Sequence, residues 1–269
     1  MSGKKKAKVS RREFLAAAGA AGVGLAAGGL DALGQLFARS SRTAKGDLDE
    51  YDFLMPRVRF SCDDRVGDVW NVYPGADRNL LSELSSTIRC KVKLPTGCGN
   101  ERPHYGSDDQ FNAVVGFDDY DRIRDFPFLF MTAEGYFKFD AAQIDNVRRY
   151  LSEGGFILMD DCVFDKGGDF FYRSACDMLE QAMGAGSVVP IPYEHEVFHN
   201  VFDFGGDGLP HMQGQKHGAR GVFLGDRLGV FVSPSDIHCG WATPGWFGAE
   251  GQKRSIQMGI NVIMYALAH

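Results

Sequence analysis

A five-residue string has the most specific metal-ligating spacing in this sequence. Residues 195–199 read His-Glu-Val-Phe-His, so two histidines stand four residues apart with a glutamate between them. On an α-helix this spacing places both imidazoles on one side of a zinc ion, and the glutamate activates a water molecule. Pro190 and Pro192 precede the string and allow only a short helix there. The alternative is a loop in which His195 makes a structural hydrogen bond.

A second candidate site consists of acids that directly follow predicted strands. Glu134 follows one strand, and Asp160 and Asp161 end the next. Because open α/β sheets bind ligands at the carboxyl ends of their strands, these acids are candidates for one common site. Three more candidates follow later strands, namely His195, Asp236 and His238.

Three kinds of chemistry would suit such a cluster of carboxylates and imidazoles. It could hold zinc or another divalent metal, with His195, His199 and His238 as the candidate histidine ligands. It could also bind a sugar or act in acid and base catalysis. The ordinary alternative is structural, since an aspartate after a strand often caps the next helix or turn.

Three tryptophans bear on the sugar hypothesis. Trp70, Trp241 and Trp246 fall in predicted loops, where an indole could stack on a sugar ring. Loop tryptophans also cover the edges of hydrophobic cores, and the sequence leaves both interpretations open.

A cysteine nucleophile would need a sharp turn between a strand and a helix, flanked by glycines. Gly97-Cys98-Gly99 has this composition, but residues 100–103, Asn-Glu-Arg-Pro, do not favour a helix. The turn at residues 133–136, Ala-Glu-Gly-Tyr, contains neither cysteine nor serine. The sequence therefore argues against a cysteine nucleophile.

The cysteines themselves permit several interpretations. There are six, at positions 62, 90, 98, 162, 176 and 239, and no two have the C-x-x-C spacing of a zinc ribbon. In an oxidising compartment they could pair, and Cys90 with Cys98 is the pair that we would test first. The alternative is that most are small buried hydrophobic residues.

The clearest structural unit covers residues 127–161. Two continuous apolar runs, 128–131 and 156–159, have the length of strands. Asp140 with Gln143 three residues later predicts a helix start, and Gly154 with Gly155 predicts its end. A strand, a helix and a strand in this order predict a right-handed parallel crossover. The lack of alternation in the runs predicts strands that are covered on both faces, as in a doubly wound sheet.

Other segments extend this α/β prediction. Helical stripes occupy 80–88 and 171–182, and strands are expected near 58–62 and 188–191. Residues 222–232 predict an added hairpin, with Gly225 supplying the positive φ of a type II′ turn. A terminal helix is expected from about Lys253. The predicted fold is thus α/β, three-layered and doubly wound, with a mostly parallel sheet, an added C-terminal hairpin and a terminal helix.

The amino terminus has a different composition from the rest. After a basic start, residues 10–15 read Ser-Arg-Arg-Glu-Phe-Leu and lead into a weakly hydrophobic run rich in alanine and glycine. This pattern resembles a twin-arginine export signal. We therefore predict a signal at 1–38, a polar linker at 39–54 and one domain at 55–269.

That signal implies a location and a partner. The protein is expected to be exported by the twin-arginine translocase to the periplasm or another extracytoplasmic site, with a membrane attachment only through an uncleaved signal. Proteins with such signals typically fold before export, sometimes around a cofactor.

Composition excludes several other classes. The 269 residues carry a net charge of −6, with 44% hydrophobic residues, which excludes intrinsic disorder. Beyond residue 38 there are 23 lysines and arginines against 33 aspartates and glutamates. Such an acidic chain is poorly suited to a nucleic-acid backbone, so no nucleic-acid partner is expected.

Several strings together resemble one bacterial family, domain of unknown function 4159. They are residues 125–132, the block 147–162 from Val-Arg-Arg-Tyr-Leu to Asp-Asp-Cys, residues 195–198 and residues 259–267. The resemblance covers roughly residues 55–268. It implies a flavodoxin-like fold related to class I glutamine amidotransferases and trehalose-utilisation proteins. Family members often neighbour genes for MoxR-type ATPases and von Willebrand-type domains, which implies partners in extracytoplasmic assembly.

These observations favour an exported, non-catalytic protein that binds a ligand or assists assembly, with an amidotransferase-like fold that lacks the cysteine nucleophile. The alternative is an extracytoplasmic hydrolase, metal-dependent or acting on carbohydrate, with Glu134, Asp160, Asp161 and His195 as candidate catalytic residues. No cofactor is firmly implied, and zinc or another divalent metal is the candidate.

Overall fold

The computed structural model describes residues 51–62, 69–96, 105–163 and 168–269. The predicted signal at 1–38, residues 39–50 of the predicted linker and Cys98 lie outside these ranges. The expected Cys90 and Cys98 pairing therefore stays a prediction. None of the helices in the described ranges is both long and apolar enough to cross a lipid bilayer.

The described residues form seven strands and six α-helices. Strands β1 to β7 are Arg57–Val58, Val114–Val115, Phe128–Ala133, Phe156–Asp161, Val188–Pro190, Arg220–Leu224 and Arg227–Ser233. Helices α1 to α6 are Pro74–Ile88, Tyr120–Ile123, Ala141–Ser152, Phe170–Met183, Ile237–Ala242 and Pro244–Ala268. Short 3-10 helices occur at Asp108–Gln110, Glu196–Phe198 and Gly205–Asp207.

The strands form a single mostly parallel sheet in the order β2-β1-β3-β4-β7-β6-β5. The pairings β1 with β2, β1 with β3, β3 with β4 and β4 with β7 are parallel, whereas β6 pairs antiparallel with both β7 and β5. The predicted parallel crossover from β3 through α3 to β4 is confirmed. Its register aligns Phe128 with Phe156 and Ala133 with Asp161.

Helices cover both faces of the sheet, which explains why the central strands lack polar alternation. Phe128 and Phe130 of β3 belong to the core with α1, α5 and α6. Leu129 and Met131 point the other way, into the core with α3 and α4. Each strand therefore presents apolar side chains to two separate cores.

The start and end of α3 follow the predicted signals. The Asp140 carboxylate accepts a hydrogen bond from the backbone N–H of Gln143 at 2.9 Å, and the Gln143 side chain accepts one from the Asp140 N–H at 3.0 Å. After the last turn, Gly154 takes a φ of 101°, which glycine adopts without a steric penalty. The helix that separates β3 from β4 is thus defined by local sequence.

The predicted hairpin is present, but its second strand is an inner strand of the sheet. Residues 225–226 connect β6 to β7, and Gly225 has a φ of 63°. β7 also pairs in parallel with β4, from Ile157 with Val230 to Asp160 with Ser233. Val230, Phe231 and Val232 are fully buried, as expected for a strand covered on both faces. The hairpin therefore completes the parallel part of the sheet.

The terminal helix begins earlier than the predicted Lys253. α6 starts at Pro244, where the Thr243 hydroxyl accepts a hydrogen bond from the backbone N–H of Gly245 at 3.2 Å. Gly248 interrupts the helical backbone with a φ of 76°. The regular apolar spacing that identifies the helix in the sequence lies after this break, so the sequence does not predict the turns before it.

Candidate functional site

The predicted acids lie at one edge of the sheet, which we call the carboxyl edge because β3, β4 and β7 end there at Ala133, Asp161 and Ser233. Thr132 is aligned with Asp160, so Glu134, directly after β3, lies at the same end of the sheet as the two aspartates that end β4. Successive side chains of a strand point to opposite faces, however. Asp160 lies on the face with α5 and α6, and Asp161 lies on the face with α4. The two aspartates therefore do not face a common pocket.

Asp160 is fully buried and binds the first turn of α5. Its carboxylate accepts hydrogen bonds from the backbone N–H groups of Ile237 at 3.2 Å and His238 at 2.8 Å. Burial and the nearby Asp236 carboxylate raise the pKa of Asp160 well above its usual range, against the hydrogen bond with Ser233. These contacts are structural, but the helix that Asp160 binds is α5 and not the next helix along the chain, α4.

Asp161 plays the corresponding role for α4. It is almost fully buried, and its carboxylate accepts a hydrogen bond from the backbone N–H of Tyr172 at 3.1 Å. Burial raises its pKa, although the bond with Tyr172 acts in the opposite direction. Glu134, in contrast, is half-buried directly after β3.

A buried ion-pair cluster of Arg57, Asp77 and His238 lies on the same face as Asp160. Arg57 Nη2 is 2.5 Å from Asp77 Oδ1, and His238 Nε2 is 3.1 Å from each of these two atoms. The guanidinium also donates to the carbonyl oxygens of Trp70 at 2.9 Å and Val72 at 3.3 Å. All three charged or titratable side chains are excluded from solvent.

This cluster changes the interpretation of His238 and adds two residues that the sequence did not identify. The imidazole of His238 is held within an ion pair and belongs to no group of potential metal ligands among the described residues. Arg57 also lies over the ring of Phe130, with the guanidinium carbon 4.7 Å from the ring centre. The cluster connects β1, α1 and α5.

The histidines at 195 and 199 do not form the expected metal site. The three residues between them form a 3-10 helix, with an extended backbone at His195, so the α-helical turn that the motif requires is missing. His195 Nδ1 accepts a hydrogen bond from the backbone N–H of Val197 at 3.2 Å, which is the structural alternative for this residue. His199 contacts the Asp203 carboxylate at 2.7 Å and the Tyr193 carbonyl oxygen at 2.6 Å.

His195 also lies away from the acids, so its expected convergence with them is wrong. Its ring is 5.5 Å from that of Phe223 and 5.1 Å from that of Tyr265. The Tyr265 hydroxyl accepts a hydrogen bond from the backbone N–H of Leu228, near the start of β7, whereas Asp160 is near the end of β4. His195 therefore lies toward the opposite edge of the sheet.

A cluster of potential metal ligands does occur at the carboxyl edge, formed by Cys162, Asp236 and Cys239. One ligand atom from each lies within 4.8 Å of the other two. The two sulfur atoms are 3.5 Å apart and do not form a disulfide with each other. All three side chains are buried. The hydrogen bond with Cys162 lowers the pKa of Cys239, but burial and the Asp236 carboxylate outweigh it, so that the pKa is raised.

Asp236 holds this cluster in place through a dense set of hydrogen bonds. Its Oδ1 accepts from the backbone N–H of Cys239 at 3.3 Å, and its Oδ2 accepts from the side chain of Gln213 at 2.5 Å and from Val163 N–H at 3.3 Å. The residue has a φ of 53°, in the left-handed region. Burial raises the pKa of its carboxyl to about 6.

A cleft of about 490 Å³ lies beside this edge, between β5 and the segment before β6. Its polar lining includes Tyr193, His211, Lys216, His217 and Ser235. The ring of His217 stacks on that of Tyr172. Burial and the positive charge of Lys216 lower the pKa of His211. Apolar side chains complete the wall, among them Ile191, Phe198 and Leu209.

The tryptophans divide between core and surface. Trp241 is fully buried in α5 and its indole N–H donates to the Ser255 carbonyl oxygen at 2.9 Å, so its predicted loop position is wrong. Trp70 is half-buried with the Arg59 guanidinium 4.9 Å from its ring centre. Trp246 is also not in a loop, since it lies in the first turn of α6; it is 45% exposed and meets Tyr73 edge-on. The three indoles therefore do not share one sugar-binding surface.

Comparison with known proteins identifies a family but no activity. No curated protein matches this chain. Residues 56–267 match the family model described as Domain of unknown function (DUF4159), so most of the described fold lies inside the matched region. The protein belongs to this family of unknown function.

Proposed function

We propose that this protein is an exported, non-catalytic binding protein with a flavodoxin-like fold, whose cleft holds a small organic anion. The order β2-β1-β3-β4 with β7 next supports the fold, because flavodoxin-like sheets follow the order 2-1-3-4-5. The resemblance of residues 10–15 to a twin-arginine signal supports export to an extracytoplasmic site. The family's gene neighbours support a role beside von Willebrand-type or MoxR-associated proteins.

The observation that carries the non-catalytic proposal is the use of both aspartates as caps. Asp160 accepts from Ile237 and His238, and Asp161 accepts from Tyr172, while both are shielded from solvent. A general acid or base must reach the reacting atoms of a substrate. These carboxylates reach backbone N–H groups instead.

The remaining members of the proposed hydrolase site give it no further support. Glu134 lies directly after β3, at the carboxyl edge. His195 lies toward the opposite edge of the sheet, so the two side chains do not meet. The turn after β3, at residues 133–136, contains no serine or cysteine that could act as a nucleophile. The four residues expected for the hydrolase, Glu134, Asp160, Asp161 and His195, therefore do not converge on one site.

The chemistry of the cleft suggests the class of ligand. Lys216 supplies a positive charge and His211 supplies a ring nitrogen for hydrogen bonds, whereas His217 Nε2 is 3.1 Å from the Asp169 carboxylate; among the described residues, no acid lines the cleft directly. Charge-assisted hydrogen bonds favour a carboxylate or a phosphate group at this end. The apolar wall suits a short hydrocarbon portion of the same molecule. The volume of the cleft is within the range of small-molecule sites, roughly 300 to 1,000 Å³.

Ligand binding can be tested on the full chain with a panel of carboxylates and phosphate esters. We expect some members to raise the melting temperature of the protein, since a ligand that binds only the folded state stabilises it. Lys216→Ala should weaken the binding of these members about tenfold or more, because a hydrogen bond to a charged group contributes roughly 1.5 to 3 kcal/mol. Lys253→Ala is the matched control, since Lys253 is exposed on α6.

Two results would contradict the proposal. One is a panel without any ligand whose binding depends on Lys216. The other is conversion of a bound ligand into a product, which mass spectrometry would detect after incubation and which would restore the hydrolase alternative.

A further inference from the structure

We propose that Cys162, Asp236 and Cys239 form a zinc site at the carboxyl edge. The three residues come from two places in the chain: Cys162 directly follows β4, whereas Asp236 and Cys239 are the N-cap residue and a first-turn residue of α5. Asp236 and Cys239 are three residues apart, but Cys162 is 77 residues from Cys239, so the set has no recognisable motif spacing.

The separation of the sulfur atoms supports a shared metal. Two thiolates bound to one tetrahedral zinc at about 2.3 Å each have their sulfur atoms about 3.75 Å apart. The observed separation is 3.5 Å. A disulfide would require about 2.05 Å. A small outward movement of the sulfur atoms would therefore accommodate zinc, whereas a disulfide requires a much larger approach.

The donor set also favours zinc over other cations. Thiolates are soft ligands that suit zinc, whereas magnesium and calcium prefer oxygen atoms alone. The Asp236 carboxylate supplies a third ligand and is oriented by Gln213 and by the backbone N–H of Val163. Such outer hydrogen bonds are typical of metal-binding carboxylates.

The position of the three ligands in the fold indicates that folding brings them together. β4 and β7 are paired in parallel up to Asp160 and Ser233, so their ends lie side by side. Val72 is buried against both cysteines, and the partly buried Tyr73 and Phe247 pack on this group. On binding, each of the two thiols loses its proton and the sulfur lone pairs coordinate the cation, so that zinc binding releases two protons to solvent.

The test begins with elemental analysis of the full chain, purified without chelator from cells grown with zinc. We expect about one zinc ion per chain in the wild-type protein. Cys162→Ser and Cys239→Ser should each lower the zinc content at least tenfold, since each removes a thiolate. Cys176→Ser is the matched control, because Cys176 is a half-buried cysteine on α4 outside the cluster. It should retain the zinc.

A second measurement does not depend on the folding of the serine variants. After removal of metal, the wild-type protein is titrated with cobalt(II), and we expect a near-ultraviolet thiolate-to-cobalt absorption band that saturates at one equivalent and is abolished by zinc. Absence of this band from the wild-type protein would overturn the proposal. So would zinc retained by both serine variants, or a disulfide between Cys162 and Cys239 found by peptide mapping of the purified protein.

Discussion

The carboxyl edge and the segment around residues 193–203 both contain titratable side chains, but they organise them in opposite ways. At the carboxyl edge, partners come from distant parts of the chain: Arg57 meets Asp77 and His238, 181 residues later, without access to solvent. In the segment, His199 contacts Tyr193 and Asp203, which are close in sequence. Tertiary structure builds the first region, whereas local turns build the second.

The difference shows what a sequence motif needs in order to form a site. Residues 195–199 have the spacing of a zinc motif, but a 3-10 helix replaces the required α-helix and the imidazoles take separate partners. Cys162 and Cys239 have no motif spacing, yet the parallel pairing of β4 with β7 brings them together. Spacing predicts a site only where the predicted secondary structure is also correct.

The largest effect should come from breaking the buried ion pair. We expect Arg57→Met to lower the free energy of unfolding by about 3 to 5 kcal/mol, because Asp77 would remain as a buried charge without its guanidinium. Guanidinium chloride unfolding followed by tryptophan fluorescence measures this change. In the control Arg59→Met, an exposed pair with Asp108 is lost, and we expect about 1 kcal/mol or less. Equal losses in the two variants would remove the contrast between buried and exposed pairs.

An intermediate effect is expected from the cap on α5. Asp160→Ala leaves the backbone N–H groups of Ile237 and His238 without their acceptor, and each buried orphan costs roughly 1 to 3 kcal/mol. We therefore expect a loss of about 2 to 4 kcal/mol in the same unfolding assay. Asp140→Ala removes an exposed cap from α3 and should cost about 1 kcal/mol. A loss at Asp160 no larger than at Asp140 would mean that burial adds nothing to this cap.

The smallest effect should come from the two histidines of the local segment. Their pKa values should be shifted in opposite directions. Bonds to the Tyr193 carbonyl and the Asp203 carboxylate raise the pKa of His199 above 6.5, whereas burial lowers the pKa of His195 below 6.5. NMR titration of the two imidazoles measures both values. A common pKa would contradict the different environments of the two rings, and zinc-induced shifts of both rings at one equivalent would support a shared metal site.

The raised pKa of His199 has a corresponding effect on stability. Protonated His199 stabilises the fold below pH 6.5, and this contribution is lost as the pH rises through its folded-state pKa. Because the side chain is exposed to solvent, we expect less than about 1 kcal/mol. His199→Ala should remove this part of the pH dependence of unfolding.

The central elements could be predicted because their signals are local. The apolar runs of β3 and β4, the cap pair Asp140 and Gln143, and the stop at Gly154 each depend on a few adjacent residues. The parallel crossover follows from their order. The aspartates at the strand ends were also identified; Asp161 binds the next helix, as the structural alternative described, whereas Asp160 binds the distant α5.

The rest depends on which strands become neighbours, and no local pattern contains that information. Arg57 and Arg59 both alternate with apolar residues, yet only Arg57 is buried, because α1 and α5 bring Asp77 and His238 to its side of the sheet. The two cysteines depend in the same way on β7, which the sequence assigned to a hairpin without indicating its partner β4. The start of α6 was not predicted because the helical backbone is interrupted at Gly248.

The double pairing of β7 has a consequence for the order of folding. The turn at 225–226 closes a short loop, so β6 and β7 can associate early, whereas β4 and β7 are about 70 residues apart in the chain and must pay a larger loop-closure entropy. The two thiols meet only after that late docking step. Protection of Cys162 and Cys239 against alkylation during refolding would therefore report completion of the whole domain, and not the formation of its first hairpin.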